Sequence, residues 1–211
     1  MVLSIGERIK GFLFSPSETF DASKEDTIGD AFKYFVVILL ILAVIVAIIG
    51  AVAFQWILGM SNAFLPPDAL PLAEIGPLLA VIPVVLFIAV LVGGIIGAFI
   101  DGLWIHLWVY LVGGRKGVGQ TIKAVMYGTT PYCLLGWIPI VNFIAEIWMI
   151  IVAILGVRQL HEISTGKAVL AVILAIIIPA IIIVAIFASI MSTMPQGPMC
   201  TWPGGSGLGG I

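Results

Sequence analysis

Apolar residues dominate this chain in long runs, broken by short polar segments and by isolated polar side chains. The pattern predicts helices over roughly 31–58, 78–112, 120–137, 141–160 and 168–191. About 20 consecutive apolar residues suffice to cross a hydrocarbon core of about 30 Å. The run 78–112 is longer than that; as one helix it would extend about 52 Å at 1.5 Å per residue. It is either one tilted or protruding span or two short ones. Within it Gly93, Gly97, Asp101 and Ile105 recur every four residues and share a helical face. Gly93 and Gly97 are therefore expected to let a neighbouring helix pack closely, on a face that leads to a carboxylate.

Segments outside these runs read differently. Val2, Ile5, Ile9 and Phe12/Leu13 form one face of a short amphipathic helix, with Ser4, Glu7, Arg8 and Gly11 largely opposite. It either lies in the membrane interface or docks on the cytoplasmic side of its own bundle. Ser15, Pro16, Ser17 and Glu18 have capping-box form, and Thr27 with Asp30 can cap the first long helix in the same way. Residues 61–77, with four prolines and no Lys or Arg, are expected to form an external loop. Residues 193–211 are Gly- and Pro-rich and expected to be a disordered tail. The organisation is a cytoplasmic segment 1–30, a transmembrane domain 31–192 and an external tail 193–211.

Composition excludes a soluble domain: 62% of the 211 residues are hydrophobic and 9% are charged, against about 25% charged in soluble proteins. A formal charge of −2 carries no nucleic-acid footprint. Two cysteines, Cys133 and Cys200, make neither a disulfide framework nor a structural zinc site. The first run is expected to act as an uncleaved insertion signal, with no cleavable signal expected before it. The nine basic residues then settle the long run. If it crosses once, Arg8, Lys10, Lys24, Lys33, Arg115, Lys116, Lys123, Arg158 and Lys167 all fall on one side. Splitting it would move the last five outside. The positive-inside rule favours one crossing. The fold class expected is all-α: a polytopic bundle of five transmembrane helices, N-terminus in and C-terminus out, plus the short N-terminal amphipathic helix.

Helical rise places Asp101, Glu146, Thr129 and Thr130 about 14–18 Å from the cytoplasmic ends, near the midplane. Tyr127, Tyr132 and Asn142 lie near that level. A lone ionised carboxylate there costs roughly 2.5–3.5 kcal/mol or more. Asp101 and Glu146 are therefore neutral, partnered or holding a cation; they form either a protonatable or cation-binding centre or plain helix cross-links. Pro131 and Pro179 interrupt their helices at similar depth. His106 is expected to anchor at the interface, His161 to be solvated in a loop, and Cys133 to pack in the core.

There is no phosphate loop, no His-Glu-x-x-His and no Gly-x-Ser-x-Gly. Asp101 is the only aspartate within the spans, which does not meet the need of an intramembrane aspartyl protease for two. No catalytic, cofactor or metal site is expected. The motifs FLFSPSETFD at 12–21, Tyr127-Gly128-Thr129-Thr130-Pro131-Tyr132 leading to Gly136-Trp137-Ile138-Pro139, and WMIIVAILGVRQLHEISTGK at 148–167 resemble the Yip1-domain family of five-span membrane proteins, in the form found in prokaryotes. In eukaryotes that resemblance implies Golgi and endoplasmic-reticulum proteins that interact with Rab-type GTPases. This chain lacks the Asp-Leu-Tyr-Gly-Pro motif before the first span and a long N-terminal domain, so a Rab-type GTPase is not carried over as partner. The expectation is a non-enzymatic scaffold or trafficking-type protein, multi-pass in the cell membrane. Its partners are the lipid bilayer and a second copy or other membrane proteins. The alternative is a proton- or cation-linked permease or channel-like protein using Asp101 and Glu146.

Overall fold

The computed structural model describes residues 3–64, 76 and 80–193. Most of the expected external loop, the tail beyond Thr193, and Cys200 lie outside the described residues. In chain order the helices are α1 (Ile5–Phe14), α2 (Pro16–Ala22), α3 (Ile28–Phe64), α4 (Ile82–Leu111), α5 (Val118–Gly128), α6 (Thr130–Leu135), α7 (Val141–His161) and α8 (Thr165–Thr193). Four of them, α3, α4, α7 and α8, are long and apolar enough to cross a membrane.

Local sequence explains most boundaries. Thr27 and Asp30 cap α3 reciprocally: the Thr27 backbone N–H donates to Asp30 Oδ2 at 3.1 Å, and the Asp30 N–H donates to Thr27 Oγ1 at 3.2 Å. The same arrangement joins Ser4 and Glu7 at the start of α1. At α2, Pro16 takes the first helical position as expected, but the Ser15 side chain makes no capping bond. The long second run is one uninterrupted helix through Gly93 and Gly94. The third run is not one helix. Pro131 has no N–H to give the Tyr127 carbonyl, and the chain breaks at Thr129 into α5 and α6.

The fold divides into one unit up to Ala175 and a second from Ile176. In the first, buried side chains concentrate where α1, α2 and the start of α3 meet α5 and the second half of α7. Phe12, Phe20, Tyr34, Phe35, Ile38, Tyr127, Val152 and Val157 are all at most 3% exposed. Elsewhere the long helices keep Val, Ile and Leu on the outside: only 6–22% of their most apolar stretches is buried. Lipid tails solvate such side chains as well as a protein core does, so no hydrophobic force draws them inward. The described part of the second unit is the C-terminal stretch of α8, with Ile181, Val184 and Phe187 all over 60% exposed.

The close helix approaches fall at other glycines than the expected pair. A Cβ on Gly93 or Gly97 would meet nothing within 4 Å. On Gly94 it would stand 2.7 Å from the Leu39 side chain, and on Gly102 it would stand 2.8 Å from Ile122 Cγ1 and 3.1 Å from Ile122 Cα. The helix is rotated by about one residue from the sequence expectation, because Ala98 and Gly102 rather than Gly97 and Asp101 carry its buried face. Gly102→Val is therefore expected to lower stability by about 1–3 kcal/mol through overpacking. Gly93→Ala should leave it unchanged; melting in detergent distinguishes the two.

Pro179 removes the bond that the Ala175 carbonyl would receive within α8. Trp104 Nε1 donates to that carbonyl instead, at 2.8 Å. Trp104→Phe keeps the ring and loses the donor, with an expected cost of about 1–2 kcal/mol, read as a lower melting temperature.

Candidate functional site

The break between α5 and α6 is the hub of the first unit. On one side stands Tyr127, fully buried, in a ring cluster with Phe12 (4.8 Å between centroids), Tyr34 (5.5 Å) and Phe20 (6.2 Å). Its hydroxyl donates to Asp26 Oδ2 at 2.6 Å and accepts from an Arg8 terminal nitrogen at 2.6 Å. Arg8 forks onto Asp26, with N···O distances of 2.5 and 3.2 Å, and its side chain is only 5% exposed. Lys123, 2% exposed, donates to the carbonyls of Lys24 (2.9 Å) and Asp26 (2.7 Å). Burial alone would raise the Asp26 carboxyl pKa. Hydrogen bonds from Arg8 and Tyr127, with the charges of Arg8 and Lys123, hold it below the usual carboxylate range. Burial opposes the Arg8 charge, and the bond to Asp26 together with the charge and hydrogen bonding of Asp26 and Tyr127 more than restores it.

This docking reverses part of the expectation for the N-terminus. Of the two arrangements read from the sequence, α1 adopts docking on its own bundle: Arg8 and Phe12 are buried while Ile5 is 46% exposed. A charged residue lies on the packed face because Asp26 and Tyr127 await it there. Trp148 Nε1 donates to the Leu13 carbonyl at 3.1 Å, and Gln159 Nε2 donates to Asp21 at 3.0 Å. Phe20 fills the space over Gly156, where a Cβ would come within 2.6 Å of its ring.

Thr130, fully buried, answers the proline. Its hydroxyl donates to the Tyr127 carbonyl at 2.7 Å, the acceptor Pro131 leaves open. A hydroxyl has one proton, so the 3.0 Å contact between Tyr34 and Thr130 has the tyrosine as donor. On the other side of the break, Thr129, Tyr132 and Cys133 line a cavity of about 300 Å³ together with Asp101, Phe35 and Met149. Thr129 donates to the Met126 carbonyl at 3.0 Å. Cys133 is buried, as expected.

Of the polar residues singled out in the sequence, Asp101, Thr129 and Tyr132 share this cavity, whereas Tyr127 and Thr130 belong to the docking cluster. Asn142 donates to the Gly136 carbonyl at 2.6 Å, holding the turn into α7. Glu146 is exposed beside the buried Ala145 and is not part of the cavity wall.

Sequence reasoning missed Arg8, Asp26 and Lys123 as one cluster, and it misjudged His161. That histidine is 3% exposed rather than solvated. Its Nε2 lies 2.9 Å from Thr121 Oγ1, which lies 2.8 Å from Nδ1 of His106. With one hydroxyl proton between them, one imidazole donates to Thr121 and the other accepts. A lysine inside an otherwise apolar run was the available signal for the first cluster, since a buried ammonium needs carbonyl or carboxylate partners. Nothing local signalled the histidine pair. Among the described residues no group of three His, Cys, Asp or Glu side chains could hold a metal ion.

The family model described as the Yip1 domain matches residues 10–188. No curated protein and no solved structure matches the chain.

Proposed function

This chain belongs to the Yip1 domain family, and from that premise we propose that it is a non-enzymatic scaffold of the cell membrane. The scaffold crosses five times, N-terminus inside and C-terminus outside, with α5 and α6 together as the third crossing. One observation carries the scaffold reading: the polar groups of Arg8, Asp26, Lys123 and Tyr127 are consumed in fastening residues 3–27 to the bundle. Arg8, Asp26, Tyr127, Lys123 and Thr130 all have partners within the chain. What they hold together is a platform built from α1, α2 and the ends of α5 and α7, with Lys10 and Glu18 on its exposed surface. The topology draws support from ends that meet. Lys116 pairs with Glu162 at 2.6 Å, and Arg158 reaches Ser17 Oγ at 3.4 Å, so basic segments far apart in sequence gather at one end.

Photo-crosslinkers at Lys10 and Glu18 in intact membranes test the reading. Capture of a membrane protein or of a second copy at these positions supports a scaffold, and a chain that crosslinks to nothing but lipid counts against it.

A second reading, a proton- or cation-linked permease working through Asp101 and Glu146, is favoured by Asp101 at the cavity wall. Vesicles loaded with a pH-sensitive dye decide it: no flux under any gradient removes this reading.

A further inference from the structure

We infer that the cavity between α3, α4 and the α5–α6 break is a binding site for a lipophilic organic cation, with Asp101 as counter-ion. The inference rests on the second reading's cavity, but it requires binding only and no transport, so flux and binding fail separately.

Four observations converge. First, Asp101 is exposed on α4, makes no hydrogen bond or ion pair among the described residues, and is one of the residues lining a space of about 300 Å³. Such a volume lies at the lower end of small-ligand sites, which pair mostly apolar walls with a few polar groups. Second, the chain offers this acid no cation of its own nearby in the cluster across the break. Arg8 is committed to Asp26, and Lys123 to two backbone carbonyls. A carboxylate within a membrane span is costly alone and is stabilised by an opposite charge brought into the same apolar space.

Third, the wall selects the kind of cation. Thr129 already spends its proton on the Met126 carbonyl. The hydroxyls of Thr129 and Tyr132, with one carboxylate, supply far fewer oxygens than the six to eight a hard metal ion takes. The aromatic rings of Phe35 and Tyr132 and the thioether of Met149 suit instead a cation whose charge is spread over an apolar body, which π faces attract. Fourth, the cavity has room at the correct place: a Cβ on Gly97, a lining residue one helical turn from Asp101, would meet nothing within 4 Å.

The test uses the full chain in lipid nanodiscs with tetraphenylphosphonium as probe and tetraphenylborate as its anionic counterpart. Saturable binding of the phosphonium, weakened roughly tenfold or more in Asp101→Asn and absent for the borate, is the expected result. Gly97→Leu fills the cavity without touching the carboxylate, and it too should abolish saturable binding while gel filtration stays unchanged. That variant keeps the test decisive if Asp101→Asn does not fold. Absence of saturable phosphonium binding by the unaltered chain overturns the proposal. So does equal binding in Gly97→Leu, or equal uptake of both ions, which marks simple partition into lipid. Disulfide crosslinking of Gly97→Cys between two copies would also overturn it, by giving this face to a second chain.

Discussion

Asp26→Ala is expected to release the N-terminal segment from the bundle and to cost about 3 kcal/mol, the lower end of what breaking a buried ion pair costs. The lower end applies because the Asp26 side chain retains 13% exposure, while Arg8 retains 5%. The loss comes less from the vanished attraction than from what remains: a guanidinium facing only Tyr127 and the Leu3 carbonyl in a buried place. Limited proteolysis within residues 3–27 should become fast, and melting in detergent should fall. Replacing both Arg8 and Asp26 with apolar residues of similar volume should recover much of the stability, since no unpaired charge is then left buried. Acid should mimic the single substitution. The carboxyl is held below its ordinary pKa, so its contribution is complete above about pH 4 and disappears as pH falls through the lower, docked value. Protection from protease that is unchanged down to pH 2 would contradict this account.

Thr130→Val is the second large effect. Valine matches threonine in shape, and the site is fully buried, so packing survives and only hydrogen bonds are lost. Two groups are orphaned at once: the Tyr127 carbonyl, which Pro131 cannot serve, and the Tyr34 hydroxyl, which has no other acceptor in its contact. At about 1–2 kcal/mol for each, the expected loss is about 2–4 kcal/mol. Pairing Thr130→Val with Tyr34→Phe should return part of it, because one of the two orphans is then gone. A double variant no more stable than the single one would assign the Tyr34 contact no weight. The experiment also reads the helix break itself. If Thr130 stabilises the break, the variant should exchange amide protons faster around Gly128 and Thr129.

These effects cluster at the third apolar run because it is the run that does least for itself. In α3, α4 and α7, and in α8 apart from the Ala175 carbonyl, backbone bonds close locally and apolar side chains can face lipid. The α5–α6 segment is short, interrupted and surrounded by other helices, with Thr121 to Gly128 all buried. Its polar side chains are therefore answered from elsewhere: Lys123 by the segment before α3, Tyr127 by α1 and Asp26, Thr121 by histidines on two other helices.

Hydrophobic patterning and local bonds by themselves determined the membrane class, the four long helices and the cap at Thr27 and Asp30. These depend on hydrophobicity and on bonds no more than four residues apart, all of which the linear order contains. Only the tertiary structure decided that Arg8 faces inward, that His161 is buried, and that Gly94 and Gly102 rather than Gly93 and Gly97 meet their neighbours. Arg8 and Tyr127 are 119 residues apart, and Thr121 and His161 are 40 apart. A periodic pattern says which face of a helix is polar. It does not say which distant side chain will stand opposite, and for a buried charge that partner is the whole of its energetics.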